Sequence, residues 1–410
     1  MTHPQRPARR PISRVEFVAM MAMIVAIVAF SLDAMLPAIP EIGASLSPER
    51  PERASLTVPF FALGMGLGTL FVGPLADAFG RKPILFAFVA LYCAGAALAV
   101  VAETMNMLLL ARVIQGLGAA GPRIVVTAVV RDRHSGRDMA RLMSFIMMVF
   151  ALVPAIAPAA GALILAVAGW RAIFLAFIVF AVAVSLWYAL RQPETLDPAD
   201  RRPLNFARTL DGARETLSHD VVRRSILVQV LVFGMLFGNL STIQPSFDQI
   251  YGKGAEFPAW FALIACFGAC MGFVNSKVVM RAGMRKVIRN ALCVQFTCSL
   301  LFLFSGLANL GTGTAGFAAY YLWAASVFLL VSFVLGNLNA LALEPLGHLA
   351  GTASSVIAAL STVGAALVTI PVTLAFNSAS PMPVALVMAL LTLPALLLMW
   401  RVPRDVPQPA

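Results

Sequence analysis

Twelve apolar runs, each about as long as a bilayer is thick, follow one another along this chain. They fall at roughly residues 16–39, 55–76, 83–102, 106–130, 141–167, 171–190, 225–247, 257–280, 287–307, 316–341, 350–375 and 382–400. A helix needs about 20 apolar residues to cross the hydrocarbon core, where only helices and closed barrels satisfy their backbone groups. Barrel strands alternate over about ten residues, whereas these runs are continuously apolar, so a β-barrel is excluded. Of the 410 residues, 60% are apolar and 12% charged. A soluble domain usually has about 45–50% and about 25%. The expected fold class is an all-α membrane protein of 12 transmembrane helices, with little chain left for a folded domain outside the bilayer.

The net charge of +11 is a statement about topology. If the N-terminus is cytoplasmic, 24 of the 30 basic residues fall in segments on that side. They include Arg6, Arg9, Arg10 and Arg14 in the tail, Arg81 and Lys82 between spans two and three, and Lys277, Arg281, Arg285, Lys286 and Arg289 between spans eight and nine. Four lie opposite (Arg50, Arg53, Arg171, Lys253), and Arg112 and Arg123 lie inside a span. This bias fits the positive-inside rule and puts both termini in the cytoplasm of an inner-membrane protein. The charge anchors the lipid bilayer, and no nucleic acid partner is expected. The basic tail before span one resembles a signal peptide, but the run that follows is span-long, contains Asp33 and Pro37 and lacks a small-residue cleavage site. It reads as an uncleaved first helix.

Several chemistries are absent from the sequence. Cys93, Cys266, Cys270, Cys293 and Cys298 fall in apolar runs without the further ligands zinc needs, and read as buried free thiols. His3, His134, His219 and His348 lie in tails or loops, so no histidine base or haem ligand sits at membrane depth. No G-x-x-x-x-G-K-S/T occurs, which removes ATP as an energy source within this polypeptide. No cofactor, no metal and no catalytic residue is expected; a membrane enzyme would need paired catalytic groups in the spans.

A polar stretch at 191–223 separates six spans from six. The expected organisation is a cytoplasmic tail (1–14), a six-helix bundle (15–190), a cytoplasmic linker (191–223), a second bundle (224–402) and a tail (403–410). The loop after the second span reads Asp77-Ala-Phe-Gly80-Arg81-Lys82, and the loop after the eighth reads Arg281-Ala-Gly283-Met284-Arg285-Lys286, a trace of internal duplication. Repeated halves place substrate at their interface near the midplane and rock about it.

At membrane depth, one of the nineteen acids lies well inside a span, Asp33. A charged side chain there costs roughly 2.5 kcal/mol or more, so such a residue usually faces an interior cavity and has a task. Arg112, Gln115 and Arg123 lie within about 60° of one another on one helix face, a polar stripe unsuited to lipid. Arg123 either attracts anionic or zwitterionic substrates or bonds a carbonyl. Asn239, Ser241, Thr242 and Gln244 give span seven a polar section, and Asn337 and Asn339 do so in span ten; such groups also serve simply to bond neighbouring helices.

The segment Gly73-Pro-Leu-Ala-Asp77-Ala-Phe-Gly80-Arg81-Lys82-Pro83 resembles the loop signature of the major facilitator superfamily. Gly73 and Gly80 allow a tight hairpin, Asp77 can pair with a base across the bundle, and Arg81 and Lys82 hold the loop at the cytoplasmic face. Arg112-x-x-Gln115-Gly116 resembles a motif of proton-coupled members, and the fifth span, with Pro154, Pro158 and Gly161, resembles the antiporter motif, with Ala157 and Ala162 where glycines are usual. Ala128 to Asp132, Gly351 to Ser355 and Asp33 to Pro40 are similar to the bicyclomycin and chloramphenicol resistance (Bcr/CflA-type) branch. The resemblance implies two pseudo-symmetric six-helix bundles and a monomer exchanging protons for a small-molecule substrate, with Asp33 carrying the proton beside Arg112 and the cavity lined by Asp33, Arg112, Gln115, Arg123, Asn239 and Gln244. A transporter of one metabolite, such as an amino acid or sugar derivative, and a non-transporting membrane sensor are the alternative readings.

Overall fold

The computed structural model describes residues 12–201, 203, 204, 206–308 and 313–401. Arg6, Arg9, Arg10 and nearly all of the two expected tails lie outside the described residues. The helices are α1 (Arg14–Asp33), α2 (Ile39–Leu46), α3 (Thr57–Phe79), α4 (Arg81–Val100), α5 (Met105–Arg133), α6 (Gly136–Arg191) and α7 (Phe206–Ser218), followed by α8 (Asp220–Pro245), α9 (Phe257–Ala282), α10 (Met284–Leu307), α11 (Gly313–Leu343), α12 (Ala350–Leu374) and α13 (Met382–Trp400). Among the described residues there is no β-strand.

Eleven helical segments of the described chain are long and apolar enough to cross a membrane, and α6 is one of them with 56 residues. At 1.5 Å per residue it is about 84 Å long, enough to cross a core of about 30 Å twice. It does so by folding back at Gly169, whose φ of 73° and ψ of 176° are non-helical. The next residues clamp the bend: Arg171 stacks on Trp170 at 4.2 Å and donates to the carbonyls of Val100 (3.1 Å) and Ala102 (3.0 Å). The crossings therefore number twelve, with spans five and six joined by a bend. Six of them precede and six follow the polar stretch 191–223, as the sequence predicts.

The first span departs from its continuous reading. The run 16–39 was expected as one helix, and α1 stops at Asp33. Pro37 is the cause, because a proline in a helix lacks the amide donor and its ring clashes with the carbonyl four residues back, here that of Asp33. A 3-10 turn at Leu36–Ala38 and then α2 carry the chain onward. At the other end α1 begins with an N-cap, in which the Ser13 hydroxyl oxygen accepts from the Glu16 amide at 3.1 Å. The Glu16 carboxylate meets Arg191 (2.5 and 2.7 Å), tying span one to span six on the basic face.

The polar stretch 191–223 is not wholly irregular. It holds α7, an amphipathic helix that packs on α8 and α12, and α8 starts at Asp220, four residues before the expected 224. Leu217 supplies the apolar side, set against a cluster containing Val222, Ile226 and Ile357. The five cysteines are free, as expected, but not buried: Cys266, Cys270 and Cys293 are exposed and the other two half-buried. The bundle's outside is as apolar as its core, so a thiol in an apolar run faces lipid as readily as protein.

Candidate functional site

The polar centre of the first half is built around Arg112, which is fully buried on α5. Its guanidinium donates to the backbone carbonyl of Ser31 on α1 (3.1 Å), to that of Thr57 on α3 (3.3 Å) and to Gln115 Oε1 one turn on (2.6 Å). It lies over the Phe61 ring, 4.3 Å from the centroid. Three carbonyl dipoles and an aromatic face thus solvate a cation that no carboxylate among the described residues reaches. The Ser31 hydroxyl closes the shell, bonding the Ile27 carbonyl (2.6 Å) and the Tyr92 hydroxyl (2.5 Å) from α4. Arg112→Lys should cost about 1–3 kcal/mol, because one ammonium cannot span three acceptors in a planar fork; the thermal midpoint should fall by several degrees and transport with it.

Asp33 is 5% exposed, at the point where α1 breaks. It makes no ion pair and no hydrogen bond among the described residues, so the cation expected beside it, Arg112, is bonded elsewhere. Three of the five guanidinium donors are taken by carbonyl oxygens, and none reaches Asp33 in this conformation. Next to Asp33, the carbonyl of Ala34 is pressed against Gly161 of α6 so closely that a Cβ at 161 would overlap it. Pro154 and Pro158 lie in the same helix, upstream of that contact. Of the antiporter-like residues, Gly161 thus packs on the residue next to Asp33, 128 positions away in sequence, where α6 crosses the end of α1.

The remaining candidates are dispersed. Arg123 lies on the face of α5 that carries Arg112, about 16 Å nearer the basic side at 1.5 Å per residue. It is half-buried, and its guanidinium has no hydrogen-bond or ion-pair partner among the described residues. Asn239 on α8 gives its amide to the Ala324 carbonyl of α11 (3.0 Å), which makes it a helix-bonding residue. Asn337 likewise bonds Asn275 of α9 (3.1 Å). Gln244 is buried and lines a cavity of about 330 Å³ on the face opposite the basic one, between Pro37, Glu41 and Leu165 of one half and Asp248 and Pro258 of the other.

The basic-face loop forms a closed cluster. Gly80 turns with φ of 102°, and Gly73 lies a little over one turn of α3 before Asp77. Asp77 pairs with Arg81 four residues on (2.5 Å), within the hairpin and not across the bundle as expected. Arg81 instead makes the cross-link itself, to Asp132 at the end of α5 (2.9 Å). Lys82 donates to the carbonyls of Ala189 (2.8 Å) and Gln192 (2.9 Å). Sequence reasoning passed over Glu194, whose carboxylate accepts from the amides of Arg81 (3.0 Å) and Lys82 (2.9 Å) and so caps α4 from 112 residues away. Its one signal was an acid immediately after the sixth span.

Comparison with known proteins adds to this geometry. Residues 21–369 match the Major Facilitator Superfamily. This chain belongs to that superfamily. It is 29% identical over 365 residues to a bicyclomycin resistance protein homolog of Haemophilus influenzae, covering 86% of this chain and 88% of that one. The multidrug resistance protein MdtL of Escherichia coli is 30% identical over 203 residues, 49% of each chain. In fold it is similar to a D-xylose–proton symporter, with a TM-score of 0.75, 13% identity and coverage of 95% and 98% of the two chains. The xylose transporter XylE from E. coli, in a partially occluded inward-open conformation, gives a TM-score of 0.70 at 11% identity, over 95% and 98%. This multi-pass superfamily member is a transporter of a small-molecule substrate.

Proposed function

We propose that the protein exports small amphipathic compounds, drugs among them, from the bacterial cytoplasm in exchange for protons. It does so as a monomer in the inner membrane, with its basic face cytoplasmic, and performs no catalysis. The observation that carries this reading is a buried carboxyl group, Asp33, with no partner among the described residues, held at a helix break beneath Gly161. An acid bonded to nothing gains and loses a proton without rupturing a bond, and the neighbouring helix crossing lets that change bias the tilt of the halves. Names of the relatives, bicyclomycin resistance and multidrug resistance, support a broad and toxic cargo.

Arg112 contributes a fixed positive charge in the same half, held on the carbonyls of Ser31 and Thr57 and apart from Asp33, and Arg123 an available guanidinium nearer the cytoplasm. The packing of α9 supports access from that side. Its buried residues, Phe257, Phe261, Ile264, Ala265 and Gly268, all lie in the half nearer the opposite face, while Phe273 and Val274 are exposed.

The test is transport by the purified chain in liposomes under an imposed pH gradient. Compounds of unrelated chemistry should move against their gradients, and dissipating the pH gradient should stop them; movement of a single metabolite alone, or no flux at all, would overturn the reading. In the same assay, Arg123→Gln should weaken the affinity for anionic compounds by about 10- to 150-fold, since one charge-assisted bond contributes roughly 1.5–3 kcal/mol, and leave neutral ones unchanged.

A further inference from the structure

On the side opposite the basic face, the two halves border one cavity of about 330 Å³. Glu41, in α2 of the first half, and Asp248, in the π-helical turn Ser246–Ile250 after α8 of the second, both line it. Neither side chain has an ion pair or a hydrogen bond among the described residues. The cations of this side are engaged elsewhere: Arg53 with Asn106 (2.7 Å), Arg171 with the carbonyls of Val100 and Ala102, and Lys253 with Glu256 (2.9 Å). Arg50 makes no ion pair among the described residues. Two like charges from separate halves thus share one concave space without a counter-ion from the protein.

A third group sets this place apart from a chance meeting of surface acids. Gln244 lines the same cavity, is 4% exposed, and its Oε1 has no hydrogen-bond partner among the described residues. Buried polar atoms nearly always find a partner, and leaving one unbonded is costly. A half-turn of the amide also exchanges its oxygen and nitrogen, so the acceptor has two ways to meet something in the cavity. Glycines stand beside both acids. A Cβ at Gly254 would overlap the Asp248 carboxylate, and one at Gly169, the bend of α6, would lie 3.5 Å from Glu41 Oε1.

We propose that this cavity binds a divalent cation, Ca²⁺ in preference to Mg²⁺, with Glu41, Asp248 and the Gln244 side-chain carbonyl as its protein oxygens and water completing the shell. Two carboxylates match a double positive charge. An irregular oxygen set drawn from two halves suits the flexible coordination of Ca²⁺ better than the strict octahedron of Mg²⁺. An organic cation would favour an aromatic face, and here the wall between the polar groups is aliphatic, with Ala162, Leu165 and Pro258. Because its ligands come from both halves, the ion ties them together on this side; without it the two like charges favour their separation. The inference rests on the placement of the halves and not on the cargo or its coupling.

The experiment is calorimetric titration of the full chain, purified in detergent and freed of metal by a chelator, with CaCl₂ at constant ionic strength. The native chain should bind one Ca²⁺ with a Kd of about 0.1–1 mM, and Mg²⁺ about tenfold more weakly. Glu41→Gln and Asp248→Asn should each weaken Ca²⁺ binding about tenfold or more. Gln244→Glu adds a third carboxylate of the same shape and should tighten it about tenfold, a gain that misfolding cannot produce. Glu49→Gln with Glu103→Gln removes two exposed acids of the same side from outside the cavity and should change nothing. Spin labels at Val101 and Leu307, exposed residues of opposite halves on this side, placed in a chain whose native cysteines are serine, should show a shorter and narrower distance distribution when Ca²⁺ is added. Absence of saturable binding, tighter binding of Mg²⁺ than of Ca²⁺, equal loss in the Glu49 and Glu103 control, weakening in Gln244→Glu, or a label distance indifferent to saturating Ca²⁺ would each overturn the proposal.

Discussion

An Asp33→Asn protein is expected to fold, insert and bind cargo while its export no longer responds to a proton gradient. Asparagine has the shape of aspartic acid and cannot carry the exchangeable proton. Asp33 makes no bond among the described residues that the amide would break, so stability should stay within about 1 kcal/mol of the native chain. Uptake into inverted vesicles under a pH gradient should fall to the level of vesicles without the protein, and cargo affinity should persist. Proton-driven export at the native rate would remove Asp33 from the mechanism. An unfolded variant would mean that the carboxyl group supports structure.

Replacing Gly161 by Leu should abolish transport by a different route. Even the first carbon of a side chain at 161 overlaps the Ala34 carbonyl oxygen, and backbone cannot swing aside as a side-chain tip does. Such overpacking costs typically about 1–3 kcal/mol, and here it would also push α6 away from the break at which Asp33 is buried. Ala159→Leu, two residues earlier at an exposed position, supplies the control and should transport normally. A fully active Gly161→Leu protein would separate the proline-rich helix from the proton site.

Much of this architecture was legible in hydropathy alone, because a bilayer forces each crossing to announce itself as about 20 apolar residues. What escaped were features set by single residues or by distant contact. The break after Asp33 follows from Pro37, readable in hindsight from the clash of a proline with the fourth carbonyl before it. The bend at Gly169 was legible as the gap between runs 141–167 and 171–190, but its clamp was not, because Arg171 takes the backbone carbonyls of Val100 and Ala102. The amphipathic α7 was masked by its charge and prolines nearby. At the site, the stripe of Arg112, Gln115 and Arg123 was visible from spacing, but its bonding was not: Arg112 takes backbone carbonyls of Ser31 and Thr57, and backbone atoms leave no trace in a sequence. Asn239 bonds a neighbouring helix for a similar reason, since Ala324 offers its carbonyl and not its side chain. Glu194 was overlooked because its partners are amides.

Proton release on cargo binding reports most directly on whether one sheltered carboxyl group trades hydrogen ions for substrate. Purified protein in weakly buffered detergent, mixed with a transported compound, should acidify the solution as the native chain binds, and Asp33→Asn should bind the same compound with no change in pH. Equal proton release from both proteins would contradict the account.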